Sequence, residues 1–246
     1  MTVPFIQLID VTKSFGTFHV LKGINLSIYK GEILAIIGKS GTGKSVLLKH
    51  IIGLEEQDSG RILIKGKPLY QLPADEKRSF QYELSYMFQD NALFDFFNIY
   101  DNIALPLLEN PVFPKELVKK KVFTRMKQLG LIGTENKFPA QLSGGMRKRV
   151  ALARALVTDP KMVLFDEPTT GLDPVRKKNV HSMIQEYQEK FGFTAVIVSH
   201  DIPEIFNVAQ RIAMLDKGII KFEGLKNDIL DSHGKILKAF IRGEDI

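Results

Sequence analysis

The 246-residue sequence contains no cysteine and no tryptophan. The lack of cysteine excludes disulfide bonds, thiolate metal sites and cysteine nucleophiles, so any bound metal is expected to be of the oxygen-ligated kind. No apolar run approaches the roughly 20 residues that cross a bilayer. The N-terminus also lacks the basic start and apolar core of a signal peptide. These absences predict a chain that is soluble on its own, and they are compatible with a reducing compartment.

The composition is otherwise that of a folded protein, with 44% hydrophobic residues and a net charge of +6. This is enough apolar material for one large domain or, as we favour, a domain with a subdomain. Basic clusters at residues 119–121, 147–149 and 176–178 lie in helix-like segments. Such clusters are typical of solvated helix faces, with lipid headgroup or partner contacts as the alternative. The sequence lacks the interleaved aromatic and basic residues that are typical of nucleic-acid binding. We therefore expect no nucleic acid as a partner.

A glycine-rich loop lies between an apolar run at residues 33–37 and a helix-like segment at residues 46–53. This order of strand, loop and helix is the one that a P-loop requires. Its backbone N–H groups are expected to surround phosphate oxygens, with Lys44 reaching the β- and γ-phosphates and Ser45 ligating Mg²⁺. The predicted ATP-binding residues of this loop are Gly38, Lys39, Ser40, Gly41, Thr42, Gly43, Lys44 and Ser45.

The remaining hydrophobic pattern predicts further strands and helices. Alternating residues near the N-terminus, at 6–11, 20–21 and 24–28, predict short antiparallel strands with Gly16 and Gly23 as breaks. From about residue 90 to residue 158 the pattern becomes helical, including a helix that starts near Pro114 and stops at Gly130.

Continuous apolar runs return at residues 162–165 and 194–198, with a helix predicted between them at 175–190. Runs without alternation indicate strands buried on both faces, as in a parallel sheet covered by helices. A hairpin turning at Lys217-Gly218 is expected near the end.

Two adjacent carboxylates, Asp166 and Glu167, follow the apolar run at 162–165. This is the form of a Walker B strand, in which Asp166 holds Mg²⁺ through its waters and Glu167 polarises the attacking water. The alternative is a solvated turn, which the P-loop in the same chain disfavours.

The segment Leu142-Ser143-Gly144-Gly145-Met146 opens a helical run at residues 147–157. It resembles the signature sequence of ATP-binding cassette (ABC) ATPases, which usually carry Gln or Glu where this chain has Met146. The resemblance implies that Ser143, Gly144, Gly145 and Met146 contact the ATP bound to a partner subunit, at a helix N-terminus.

Other elements of that family follow in the expected order. By resemblance, Phe15 stacks on adenine, Gln89 completes the shell of Mg²⁺ and water, Asp173 communicates across the dimer, and His200 contacts the γ-phosphate and positions Glu167. Taken singly, Phe15 is more often a core aromatic, Gln89 a loop residue and His200 a strand-end cap. The implied Mg²⁺ ligands are Ser45, Gln89 and Asp166.

The resemblance covers essentially the whole chain and implies an α/β fold: a P-loop NTPase of ABC type with a RecA-like core, an antiparallel β subdomain and an α-helical subdomain. Residues 1–246 are expected to form one ATP-binding domain, with the helical subdomain at about 90–158 inserted in the core. The implied assembly is a homodimer that sandwiches two ATP molecules with Mg²⁺. The resemblance also implies that this dimer works with an integral membrane permease and lies peripherally at the cytoplasmic face of the inner membrane.

Three stretches, at residues 87–107, 142–156 and 165–174, resemble the Mla-type ATPases that power phospholipid transport with permeases and MCE-domain proteins. Met146 and the segment Ala92-Leu93-Phe94 carry most of this assignment. An ATPase of a small-solute importer is the first alternative, and a non-transport ATP-dependent dimerisation switch is the second. An apolar patch is a candidate socket for the permease, or else core of the helical subdomain; it comprises Leu93, Phe94, Phe96 and Phe97.

Overall fold

The chain begins with three strands, and a run of α-helices separates the strand Leu84–Met87 from the strand Met162–Asp166. A computed structural model describes residues 3–88, 92–109, 113–200 and 202–232. The strands are β1 Ile6–Phe15, β2 Phe18–Ile28, β3 Ile33–Ile37, β4 Ser59–Ile64, β5 Lys67–Pro68, β6 Leu84–Met87, β7 Met162–Asp166, β8 Thr194–Ser199, β9 Arg211–Asp216 and β10 Ile219–Leu225. The α-helices are α1 Lys44–Ile51, α2 Ala74–Tyr82, α3 Ile99–Leu108, α4 Lys115–Gln128, α5 Gly144–Leu156, α6 Pro174–Phe191, α7 Ile202–Ile205 and α8 Lys226–Ser232.

The central sheet has the strand order β10-β9-β3-β8-β7-β6 within the described residues. All its neighbouring pairs are parallel except the β9–β10 hairpin. Every residue of β3 and β8 is buried, as is every residue of β7 before its last. The continuous apolar runs therefore form strands covered on both faces, and the predicted parallel α/β core is confirmed.

The second sheet is antiparallel, with the order β2-β1-β4-β5 among the described strands. Its first two strands are longer than predicted. Gly16, at a φ of 60°, does break the chain in the turn between Phe15 and Phe18, which pair across the hairpin. Gly23, however, lies inside β2, where the register with β1 shifts. The prediction of a break at Gly23 was wrong, because a β-bulge accommodates the glycine and the strand continues.

The helical segment packs its apolar face into the larger of two cores. Val118, Val122 and Met126 of α4 recur at helical spacing and are buried there beside residues of α3 and α5. These helices occupy the part of the chain where the sequence predicted a helical subdomain; its bounds at about 90 and 158 stay a prediction. Within the described ranges, no helix combines the length and apolarity needed to span a bilayer.

His50 is buried in the last turn of α1, and its surroundings lead us to expect a pH-dependent stability. Its side chain is 0% exposed, Nδ1 donates to the Val46 carbonyl oxygen at 2.8 Å, and Nε2 has no partner among the described residues. Burial lowers the pKa of His50 most strongly and nearby Lys13 lowers it further, while the Val46 bond, Glu55 and Asp58 oppose them. The folded state therefore favours the neutral ring.

The pKa of His50 in the folded state lies below the ordinary value of 6.5. The contribution of His50 to the free energy of unfolding is therefore fully present above pH 6.5. It is lost as the pH falls through the folded pKa. We expect the free energy of unfolding, measured by urea titration, to fall between pH 7 and pH 5 more steeply in the parent than in His50→Met. The exposed His19, changed to Gln, serves as the control. Equal slopes for the parent and His50→Met would contradict this assignment.

Candidate active site

The loop between β3 and α1 has a backbone path that requires glycine at two positions. A Cβ atom on Gly38 would lie 2.4 Å from the Leu215 carbonyl oxygen. Gly43 has a φ of 100°, and a Cβ there would lie 2.8 Å from Cγ1 of Val20. Neither position tolerates a side chain without displacement of its neighbours. The loop therefore packs closely on the sheet and delivers the chain into α1.

Lys44, the first residue of α1, is enclosed by this loop. It is only 4% exposed. Its Nζ donates to the carbonyl oxygens of Gly38 at 2.9 Å and Lys39 at 3.0 Å, and it lies 3.2 Å from Oε1 of Glu167. The loop thus holds the ammonium of Lys44 between its own backbone carbonyl groups and the carboxylate that follows β7.

Asp166 ends β7, and hydroxyl groups from two different elements bind its carboxylate. Ser45 Oγ donates to Oδ1 at 2.9 Å, and the Tyr86 hydroxyl donates to Oδ2 at 2.6 Å. Carboxylate and hydroxyl oxygens are the ligands that Mg²⁺ prefers. Asp166 and Ser45 therefore fit such an ion beside the glycine-rich loop. Gln89, the third ligand expected from the sequence, lies outside the described residues.

Glu167 adopts an unusual backbone conformation that directs its side chain toward the loop. Its φ is 47°, in the left-handed region, while its N–H donates to the Val198 carbonyl oxygen at 3.1 Å. Its Oε2 accepts a hydrogen bond from Thr170 Oγ1 at 2.9 Å and lies 3.1 Å from Nδ1 of His200. Strained residues of this kind cluster at functional sites, and this one brings Glu167, His200 and Lys44 together.

The surroundings of Glu167 keep it ionised at neutral pH. Burial has the largest effect and favours the protonated form, but it is outweighed by the charge of Lys44, the hydrogen bonds from Thr170 and Lys44, and the charge of His200. Together they lower the pKa of Glu167 below its ordinary value. The carboxylate is therefore available as a proton acceptor.

A cavity of about 640 Å³ opens over this group of residues. Two aromatic rings stand at its edge: Phe15, 50% exposed, and Phe18, 66% exposed. Phe15 was predicted from the sequence and Phe18 was missed, although the short turn at Gly16-Thr17 indicates that Phe15 and Phe18 pair across a hairpin. Val20, Val46 and Thr170 were also missed. The lining consists of Phe15, Phe18, Val20, Ser40, Gly41, Gly43, Lys44, Ser45, Val46, Glu167, Thr170 and His200.

The signature segment lies elsewhere on the surface. Ser143 caps α5, where its Oγ accepts from the Met146 N–H at 3.3 Å, and the residues from 143 to 145 are exposed. Met146 is partly buried against the larger core, which explains why an apolar residue is tolerated at that position. Asp173 caps α6, accepting from the Arg176 N–H at 3.0 Å. Among the described residues that line the cavity, none comes from either segment.

Residues 21–170, more than half of the chain, match the family model described as ABC transporter. The chain belongs to the ABC transporter family. It is the ATP-binding subunit of such a transporter, and it is an ATPase with the ABC fold.

Named members of the ABC family are similar over almost all of this cassette. The probable ribonucleotide transport ATP-binding protein mkl of Mycobacterium leprae is 38% identical over 241 residues, 98% of this chain and 70% of that protein. The Fe(3+) ions import ATP-binding protein FbpC of Rhizobium etli is 38% identical over 235 residues, 96% of this chain and 65% of that protein.

Solved structures of ABC cassettes have the same fold. The structure of cbiO1 from Clostridium perfringens, part of the ABC transporter complex cbiONQ, has a TM-score of 0.84 and 29% identity, and covers 97% of this chain and 95% of that one. The dimeric bacterial cassette MJ0796 has a TM-score of 0.77 and 31% identity, and covers 90% of this chain and 98% of that one. A further dimer of MJ0796, bound to ADP and Pi after hydrolysis, has a TM-score of 0.76 and 31% identity, with the same coverage.

Proposed function

We propose that the cavity beside Lys44 binds ATP with Mg²⁺, and that Glu167 orients and deprotonates the water that attacks the γ-phosphate. The observation that carries the proposal is the meeting of Lys44, Glu167 and His200 under the glycine-rich loop. The metal supplies charge neutralisation at the phosphates. Ser45 and Asp166 hold it, and Phe15 stacks on the adenine.

The contact between Lys44 and Glu167 gives the site a means of activation. The charge of Lys44 is the largest influence that lowers the pKa of Glu167. Phosphate oxygens compete for that ammonium, which weakens its hold on the carboxylate. The pKa of Glu167 then rises, and the carboxylate becomes a better proton acceptor while Thr170 and His200 keep it in place.

The proposal includes a second copy of the chain. The exposed residues from Ser143 to Gly145 stand at the N-terminus of α5, which suits a phosphate, yet they lie outside the cavity of their own chain. A two-fold dimer in which each signature segment faces the cavity of the other chain satisfies both facts. The dimeric cassettes of similar fold support this arrangement.

The segment around residues 92–98 is proposed to receive a cytoplasmic helix of the permease. Asn102 is buried and organises it, because its side chain accepts from the Phe94 N–H and donates to carbonyl oxygens of this segment. Leu93 packs against the larger core, but Phe96 is 73% exposed and its ring lies 4.6 Å from that of Phe97. The patch is thus part core and part surface, as an anchored docking surface requires.

We propose phospholipid transport with an MCE-domain protein as the work of the complex, with the chain bound peripherally at the cytoplasmic face of the inner membrane. The support is the resemblance of residues 87–107 and 142–156 to Mla-type ATPases. Import of a small solute is the second candidate, because the relatives are named for ribonucleotide transport and Fe(3+) import. These transport names weigh against a dimerisation switch outside transport.

Purification of the membrane complex through a tag on this chain, in mild detergent, tests the proposal. Mass spectrometry is expected to find a permease, an MCE-domain protein and bound phospholipid. Phe96→Ser is expected to lose most of the permease, whereas Leu225→Ser, a change at another exposed apolar residue, is expected to retain it. A solute-binding protein in place of the MCE-domain protein would favour small-solute import, and a preparation without any membrane protein would contradict both.

A further inference from the structure

Tyr86 stands outside every motif that marks the site, yet its hydroxyl contacts the carboxylate assigned to the metal. The hydroxyl donates to Oδ2 of Asp166 at 2.6 Å, while Ser45 Oγ donates to Oδ1 at 2.9 Å. Each carboxylate oxygen of Asp166 thus has a hydroxyl donor, one from Ser45 in helix α1 and one from Tyr86 in strand β6. A carboxylate bound on both sides in this way is fixed in rotation about its last bond.

We propose that Tyr86 is a positioning residue for metal binding: its hydroxyl holds Oδ2 of Asp166 so that Oδ1 remains directed at Ser45. This inference rests on the proposed function, because it takes Asp166 and Ser45 as the residues that hold Mg²⁺. It adds a residue from outside the nucleotide-binding motifs. Groups that orient a metal-binding carboxylate commonly decide the affinity of the site.

The strand register explains why Tyr86 can make this contact. Strands β6 and β7 are parallel neighbours, and Tyr86 pairs with Leu164. Asp166 lies two residues beyond Leu164, so the side chains of Leu164 and Asp166 point to the same face of the sheet. Tyr86 and Leu164 both pack on the smaller core, which places Tyr86 on that face as well. A tyrosine is long enough to reach from its own position to the next carboxylate along the neighbouring strand.

The hydroxyl of Tyr86 donates to Asp166 in the structure, and its surroundings favour the protonated form. Burial raises its pKa above the ordinary value of 10.0, and the hydrogen bond to Asp166 and the charge of Asp166 raise it further. Tyr86 therefore keeps its hydroxyl proton at neutral pH. Its ring is held in turn by the Phe88 ring at 4.6 Å. The contact depends on one hydroxyl group that a phenylalanine lacks.

The test removes that hydroxyl and measures the metal directly. In Tyr86→Phe, the dissociation constant of Mn²⁺, measured by electron paramagnetic resonance with the non-hydrolysable analogue AMP-PNP bound, is expected to rise about tenfold. The Mg²⁺ concentration for half-maximal ATP hydrolysis is expected to rise by a similar factor. The affinity for ATP in EDTA is expected to be unchanged, because Tyr86 contacts the carboxylate and lies outside the described nucleotide cavity.

Tyr70→Phe is the matched control. Tyr70 is also partly buried, burial likewise raises its pKa, to about 12, and its hydroxyl donates to the Glu55 carbonyl oxygen at 2.5 Å. Tyr70→Phe removes a comparable hydrogen bond that does not involve Asp166. We therefore expect Tyr70→Phe to have the same Mn²⁺ dissociation constant and the same Mg²⁺ requirement as the parent. Tyr86→Leu, which lacks both ring and hydroxyl, is expected to weaken Mn²⁺ binding as much as Tyr86→Phe.

The outcomes separate this inference from the proposed function. If Tyr86→Phe binds Mn²⁺ like the parent and like Tyr70→Phe, Tyr86 does not position Asp166. The inference also fails if only Tyr86→Leu weakens the metal, since packing of the ring rather than the hydroxyl would then be responsible. If the parent itself binds no Mn²⁺ with AMP-PNP, the proposed metal site is wrong, and the inference fails with it.

Discussion

Glu167→Gln is expected to bind ATP as well as the parent chain and to hydrolyse it about a thousandfold more slowly, a loss typical of a general base. The amide is isosteric with the carboxylate, and its oxygen can still accept the hydrogen bond from Thr170. It cannot accept a proton from water. The substitution also removes the anion that lies 3.2 Å from the Lys44 ammonium, which leaves that charge free to bind phosphate.

Phosphate release under saturating ATP measures the turnover, and fluorescence of a methylanthraniloyl ATP analogue measures the binding. Glu116→Gln, at an exposed position in the first turn of α4, is the control and is expected to retain both parent values. Turnover at the parent rate in Glu167→Gln would show that another group activates the water. Loss of binding would instead place Glu167 among the residues that support the fold of the loop.

The parts of the fold that were predicted correctly are local in sequence. Lys44 follows strand β3 and the glycine-rich loop directly and begins α1. Because these elements are contiguous, their order and spacing in the sequence predict the backbone path around Lys44. The buried strands β7 and β8 were also predicted, because their continuous apolar runs distinguish them from amphipathic elements. Local pattern thus sufficed for the fold class and for the loop that encloses Lys44.

One missed residue depends on a contact between distant segments. Tyr86 and Asp166 are 80 positions apart, and their contact follows from the pairing of β6 with β7, which no local pattern specifies. Thr170 was missed for a different reason. It is only three residues from Glu167, but its hydrogen bond depends on the left-handed backbone at Glu167, a conformation uncommon in residues other than glycine.

Gly145→Asp and Lys44→Met are each expected to reduce ATP hydrolysis at least a hundredfold. An equal mixture of the two variant chains is expected to regain up to about a quarter of the parent rate. A Cβ on Gly145 meets no atom within 4 Å, so the chain itself offers no steric reason for intolerance there. An acidic side chain at the second residue of α5 is also favourable for the helix. The loss of activity has to arise outside the folded chain, from repulsion of the γ-phosphate bound to a partner.

The mixture decides between a site within one chain and a site shared by two. Half of the dimers formed at random are mixed, and each of these combines an intact Lys44 with an intact signature in one of its two sites. Ala74→Asp adds the same charge at the exposed first residue of α2, and it is expected to leave hydrolysis and the melting temperature unchanged. If Gly145→Asp is fully active, the signature does not contact nucleotide. If the mixture stays as inactive as its components, each cavity is completed within its own chain, and the two-fold sandwich is wrong.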